Sequence, residues 1–192
     1  MYILKKIVTY LLLIFFLIAL YNYITKKNLR STITKTIVSV TIVLFACFFS
    51  LNTFVYFSTP EEAYSYNYKG KIEKVVEGQQ TALVIAYDNR DKSTVIVTNS
   101  MGKWKAGAGY KTKIVYQSFE DDIGVVVLNH NNSKDYYVLI SCLNDKIYNV
   151  EDSMNSSFTF YDDDRSCCTV IEDYDEFYSV KITQKDGSFA LF

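Results

Sequence analysis

The sequence predicts a two-helix transmembrane hairpin followed by an all-β soluble domain, an antiparallel sandwich or partly open barrel. Three observations carry that expectation. Two long stretches near the start lack charge, Lys6 to Lys26 and Thr36 to Pro60. Every Asp and Glu lies from Glu61 onward. Beyond Lys71 the chain breaks into short β-branched and aromatic runs separated by turn residues.

The first predicted span is Ile7–Thr25, close to the roughly 20 residues that cross a hydrocarbon layer about 30 Å thick. The second lies at about 36–57, most apolar over Ile37–Phe57. Tyr21, Tyr23 and Tyr56 close these stretches, as interfacial aromatic residues do. Lys26, Lys27, Arg30 and Lys35 make the connection basic, which points it to the cytoplasm and the rest of the chain outward. The expected localisation is thus a multi-pass cell-membrane protein with an extracytoplasmic domain and the lipid bilayer as one partner.

Charge divides the chain near Thr59-Pro60, because six basic residues and no acidic ones precede Glu61, giving +6. The remaining 14 basic and 21 acidic residues give −7. The predicted domains are therefore 1–60 and 61–192. An acidic second part argues against nucleic acid, whose affinity for proteins comes mainly from clustered Lys and Arg, but leaves a cation or basic peptide open. Pro60-Glu61-Glu62-Ala63 fits a helix start, with proline in the first turn and acids beside the positive end of the dipole.

Ten strands are expected: 71–76, 81–87, 94–98, 113–118, 124–128, 136–141, 146–150, 157–161, 169–172 and 177–183. The polar breaks Asp88 to Asp91, Asn129 to Lys134 and Asp162 to Ser166 favour antiparallel connections. Leu83-Val84-Ile85 and Val125 to Leu128 are continuous apolar runs, which suits strands covered on both faces. In Phe177–Thr183 apolar and polar residues alternate, as on a strand with one wet face.

Few residues offer chemistry. His130, the single histidine, falls in a turn-rich segment and reads as an exposed loop residue. A hydrolytic or thiol-dependent activity would need His130, Asp135 or Cys167 to meet in a cleft. Cys167-Cys168 lacks the Cys-x-x-Cys spacing of zinc and redox motifs, and adjacent strand positions should put one thiol inside and one near the surface. Cys142 could pair with either if the Cα atoms come within about 7 Å. Asp162, Asp164, Glu172 and Asp173 would form a cation site if their two turns met at one end of the sheet; solvated turns are the plainer reading. No cofactor is implied.

Gly102-Lys103-Trp104-Lys105, with Gly107 and Gly109 after it, is the most distinctive stretch and does not fit the phosphate-binding G-x-x-x-x-G-K-[ST] pattern. Trp104 reads as a core anchor. The alternative is a ligand-facing ring flanked by Lys103 and Lys105. Tyr136 and Tyr137 complete the candidate binding surface, tyrosine being enriched where proteins recognise partners.

The order of a membrane segment, Thr59-Pro60-Glu61-Glu62-Ala63, a strand pair and then Gly102-Lys103-Trp104-Lys105 resembles small membrane-anchored proteins of Gram-positive bacteria, uncharacterised in activity, with an extracytoplasmic β-rich domain. The resemblance spans about residues 59 to 110. A double span and a lone Trp104 depart from that pattern, and no functional residue is carried over. The function expected from the sequence is a binding or accessory module, membrane-tethered, with a protein partner; the alternatives are a hydrolase or thiol-dependent enzyme, and an ion or small-molecule sensor.

Overall fold

The computed structural model describes residues 2–26, 35–36, 38–46, 55–89, 91–106, 111–120 and 122–192. The chain divides into two compact units, one holding the residues up to Tyr56 with Ser65–Tyr68, the other Phe57–Tyr64 with Lys69–Phe192.

The first unit contains helix α1, Tyr2–Lys26, and a helical stretch over 38–46. Leu12 and Thr41 are buried, whereas most of the described apolar side chains, Leu11, Phe15 and Leu17 among them, are about half exposed. Among the described residues, no helix is long and apolar enough to cross a membrane. That finding overturns the transmembrane hairpin, the membrane and transmembrane character attached to it, and the multi-pass cell-membrane localisation with an extracytoplasmic domain. The physical reason is that lack of charge is not continuity of apolar residues. In α1 the unbroken apolar run is Leu11–Leu20, between Tyr10 and Tyr21-Asn22-Tyr23. At 1.5 Å per residue it is about 15 Å long, and extending it to the roughly 30 Å of a hydrocarbon layer brings in Thr9, Tyr10, Tyr21, Asn22 and Tyr23. Of the second predicted span, residues 38–46 are described and helical. The remainder of the second predicted span, residues 37 and 47–54, lies outside the described residues.

Among the described residues the second unit is all-β apart from Pro60–Tyr64, the first part of a short helix. Helix α2, Pro60–Asn67, starts as its sequence suggests. The Glu62 amide donates to Thr59 Oγ1 at 3.2 Å, and the Glu62 carboxylate accepts from the Ser58 amide at 3.1 Å. This reciprocal cap satisfies amides that the first turn leaves without a helical partner.

Among the described residues twelve strands form three antiparallel sheets. The first is a meander of β1 (Lys71–Glu77), β2 (Thr81–Asp88), β3 (Asp91–Ser100) and β4 (Lys103–Ala106). The second has the order β5 (Thr112–Glu120), β6 (Ile123–His130), β7 (Asp135–Cys142), β10 (Ser166–Glu172) and β9 (Thr159–Tyr161). The third is β12 (Phe189–Leu191), β11 (Val180–Gln184) and β8 (Ile147–Asp152). The expected strands are present with shifted ends. Lys103–Ala106 and Phe189–Leu191 escaped prediction because three or four residues carry too little alternation to register.

Turn chemistry explains the tight corners. Asn89, Met101, Asp122, Asn131 and Asn132 all have positive φ, from 53° to 68°. Asn and Asp tolerate this left-handed region better than other residues, and it gives hairpin turns the twist their strands need.

The second sheet is the central wall. On one face Val125, Val127, Val138, Ile140 and Cys167 pack against Ile147, Val180 and Ile182 of the third sheet. On the other, Tyr137, Tyr161 and Cys168 pack against Leu83, Ile85 and Ile96 of the first. Each fully buried Val, Leu or Ile contributes roughly 1.5–3 kcal/mol, so the two cores are the main source of stability. In the first sheet β2 is buried from Thr81 to Ala86, so the continuous apolar run Leu83-Val84-Ile85 is indeed covered on both sides. Tyr64 of α2, fully buried, hydrogen-bonds to Ser93 Oγ at 3.0 Å.

Candidate functional site

The predicted residues do not converge. His130 ends β6 and is 2 % exposed, so it is not an exposed loop residue. Its Nδ1 sits 2.9 Å from Thr112 Oγ1, across the β5–β6 register, which pairs an imidazole with a hydroxyl and not with an acid or thiol. Burial, reinforced by Lys111, pushes its pKa down and keeps it neutral near neutral pH.

Asp135 is fully buried at the start of β7 and is committed to the backbone. Its Oδ1 accepts from the Gln79 amide at 2.9 Å; its Oδ2 accepts from the amides of Gln80 and Thr81 at 2.8 and 2.7 Å and from Thr81 Oγ1 at 2.8 Å. Because the Thr81 hydroxyl has one hydrogen, the Tyr137 phenol must donate to it, at 2.9 Å. A carboxylate holding the β1–β2 turn in this way is a structural latch. Tyr137, with no exposed surface, is its support and cannot serve as a binding surface.

Cys167 and Cys168 are both buried, each in a different core, so neither lies near the surface. The alternation expected of a strand is present; the second sheet simply has no wet face at this point. Cys142, Cys167 and Cys168 are all free thiols. Cys142 shares a face with Cys167 as a diagonal neighbour, since Ile140 stands opposite Cys167. Diagonal neighbours lie roughly 7–8 Å apart, beyond disulfide reach.

The two acidic turns lie at opposite ends of β10. Asp162 and Asp164 are in the β9–β10 turn, Glu172 and Asp173 at the other end, about 20 Å away at 3.3 Å per residue. Asp162 also faces Arg165 at 3.6 Å, and Glu172 accepts from Gln79 Nε2 at 2.7 Å. Among the described residues no group of three His, Cys, Asp or Glu side chains could hold a metal ion. Trp104 is 6 % exposed and its strand is bridged to Phe57 through two backbone hydrogen bonds of 2.8 and 2.9 Å. It is a core anchor. Lys103 is exposed and Lys105 half-buried, and strand alternation points both away from the indole face.

Of the predicted surface residues, Tyr136 packs against the wall of a pocket. Its ring stacks on Tyr174 with centroids 5.6 Å apart, and Tyr174 lies 5.6 Å from Tyr178 at a 51° tilt. Tyr174 and Tyr178, from the β10–β11 connection, and Tyr116 from β5 wall a pocket of about 520 Å³. Its floor is apolar, formed by Val125, Val127 and Val180 with Phe192 beside them. Asp175 and Glu176, both exposed, stand at its rim.

Local hydrogen bonds shape this wall. The Phe177 amide donates to Asp175 Oδ1 at 2.9 Å and the Tyr178 amide to the Asp175 carbonyl at 3.3 Å, which turns the chain so that Tyr174 and Tyr178 point the same way. The Tyr178 phenol donates to Asp152 Oδ2 at 3.1 Å. Burial pushes the pKa of Tyr174 and Tyr178 up, and the Asp152 carboxylate adds to the effect on Tyr178. Both rings therefore remain neutral phenols with intact electron-rich faces. The sequence signal was Tyr174-x-x-x-Tyr178 around two acids; what it lacked was the bulged β5, with its register shift between Ile114 and Tyr116, that brings Tyr116 opposite Val127. Comparison with protein-family models, with curated proteins and with solved structures returns no match, so the pocket is interpreted from its own geometry.

Proposed function

We propose that the β unit is a ligand-binding module whose site is the tyrosine-walled pocket between the second and third sheets, and that it takes a positively charged group of its partner. The observation that carries this is the coincidence of three tyrosine rings with two exposed carboxylates around one apolar floor. Aromatic faces attract cations through the ring quadrupole, by about 0.5–2 kcal/mol per contact depending on desolvation. Asp175 and Glu176 add an attractive field, and the net −7 of residues 61–192 extends it to the approach path. A hydrolytic or thiol-based activity has less support, because His130, Asp135 and Cys167 are tied to separate structural partners.

The test is a titration of the purified full chain with small cations followed by NMR of the aromatic resonances. Shifts confined to the pocket tyrosines, weakened by Glu176→Gln and by added salt, are expected. Shifts that persist unchanged in Glu176→Gln together with Asp175→Asn would remove the electrostatic basis.

A further inference from the structure

We infer that the charged group this pocket accepts is a quaternary, methylated ammonium of the choline type, not a primary ammonium or a guanidinium. The inference rests on the cation-binding reading above and concerns the chemistry of the ligand. A primary ammonium has three donors to satisfy and a guanidinium five, and each donor buried without an acceptor is costly. At its floor the pocket offers them no side-chain acceptor, and the carboxylates that could serve, Asp175 and Glu176, stand at the rim. Its floor is made of Val125, Val127, Val180 and Phe192, none with a side-chain polar atom.

Carboxylate oxygens beside the tyrosine wall already accept hydrogen bonds from the protein. Asp152 Oδ2 accepts from the Tyr178 phenol and Asp152 Oδ1 from the Ser156 amide at 2.7 Å. Asp175 Oδ1 accepts from the Phe177 amide. What remains is aromatic surface, apolar surface and negative charge at the rim.

A trimethylammonium group suits that combination. It has no N–H to satisfy, spreads its charge over methyl groups that pack against valine, and is attracted by ring faces, the recurring way proteins recognise such ligands. The volume of about 520 Å³ admits such a headgroup together with the first atoms of whatever carries it. Tyr116, 36 % exposed on β5, supplies a further ring to the lining.

The experiment compares choline, its neutral isostere 3,3-dimethylbutan-1-ol, ethylammonium and guanidinium by NMR titration of the full chain and of Tyr116→Leu and Tyr174→Ala. Trp104 fluorescence verifies that each variant is folded. Choline is expected to bind at least fivefold more tightly than any of the other three, and Tyr116→Leu, which leaves the Tyr136–Tyr174–Tyr178 stack intact, to weaken it severalfold. Ethylammonium or guanidinium binding as well as choline would overturn this inference while leaving the cation-binding reading standing. Equal binding of the neutral isostere, or no binding by any cation at millimolar concentration, would overturn both. Choline binding unaffected in Tyr116→Leu would place its site elsewhere and also refute the assignment.

Discussion

Replacing Asp135 with asparagine removes one charge and alters no shape, yet it should destabilise the β unit by about 2–4 kcal/mol. Four hydrogen bonds converge on this carboxylate, three from the successive amides of Gln79, Gln80 and Thr81 and one from Thr81 Oγ1. An asparagine keeps its oxygen at the Oδ2 position, where three donors meet, and so turns its NH₂ toward the Gln79 amide. Two donors then face each other, and an unsatisfied buried donor costs roughly 1–3 kcal/mol. The other three bonds change from charge-assisted to neutral, a loss of about 1 kcal/mol each. Opposing this is relief from holding a charge at a fully buried position, which returns a few kcal/mol.

Urea denaturation of the full chain measures the result. Trp104 is the single tryptophan and lies buried in β4, so its fluorescence follows the β unit. With an m-value of about 1–3 kcal/mol per molar, the midpoint should fall by roughly 1–2 M. Thr81→Val should show non-additive behaviour with Asp135→Asn, because both act on one network. If Asp135→Asn left the midpoint within about 0.3 M of the parent, the carboxylate would not be the latch of the β1–β2 turn.

Two further perturbations follow from the packing. A Cβ on Gly124 would lie 2.5 Å from Cε1 of the largely exposed Phe119, whose ring can turn aside, so Gly124→Ala should cost less than about 1 kcal/mol and Phe119→Ala in the same chain should remove that cost, both read as urea midpoints. Burial pushes the Cys167 thiol up and Cys168 to about 11, although Lys92 and Lys74 partly offset the second. Thiols held protonated in the fold but free to ionise when unfolded contribute stability below about pH 9 that is lost as pH rises through the folded values. The slope is about 1.4 kcal/mol per pH unit for each thiol. Between pH 9 and 10 the urea midpoint should therefore drop, and Cys167→Ala with Cys168→Ala should flatten that drop; an unchanged slope would show the thiols ionise in the folded chain.

Legibility from sequence depended on what each residue needs nearby. The strands were readable because their alternation or continuous apolarity is a local record of one covered face or two. Hairpin corners were readable because Asn and Asp tolerate positive φ. Burial of His130 and Asp135 was not, since each polar group is stabilised by a partner distant in sequence, Thr112 for one and the Gln79 to Thr81 amides for the other. Charge counting located a change in composition near Thr59-Pro60, but absence of charge overstated how far the apolar runs extend. The pocket was invisible for the reason that makes it a site: Tyr116, Tyr174 and Tyr178 come from a strand and a connection that meet only when the second and third sheets are stacked.

The doubly covered central sheet also constrains how the chain can be made. Its strands β6 and β7 appear early, but β10, which carries Cys167 into one core and Cys168 into the other, is not synthesised until residue 172, and β11 and β12 come later still. Until then the central sheet has only β5, β6 and β7, and although the first sheet is already made, the face that meets the third sheet waits for β11 and β12. Long-range pairing of this kind folds slowly and leaves strand edges open to other chains. Nascent copies released before β10 should therefore aggregate through β7, the strand edge that β10 would otherwise cover.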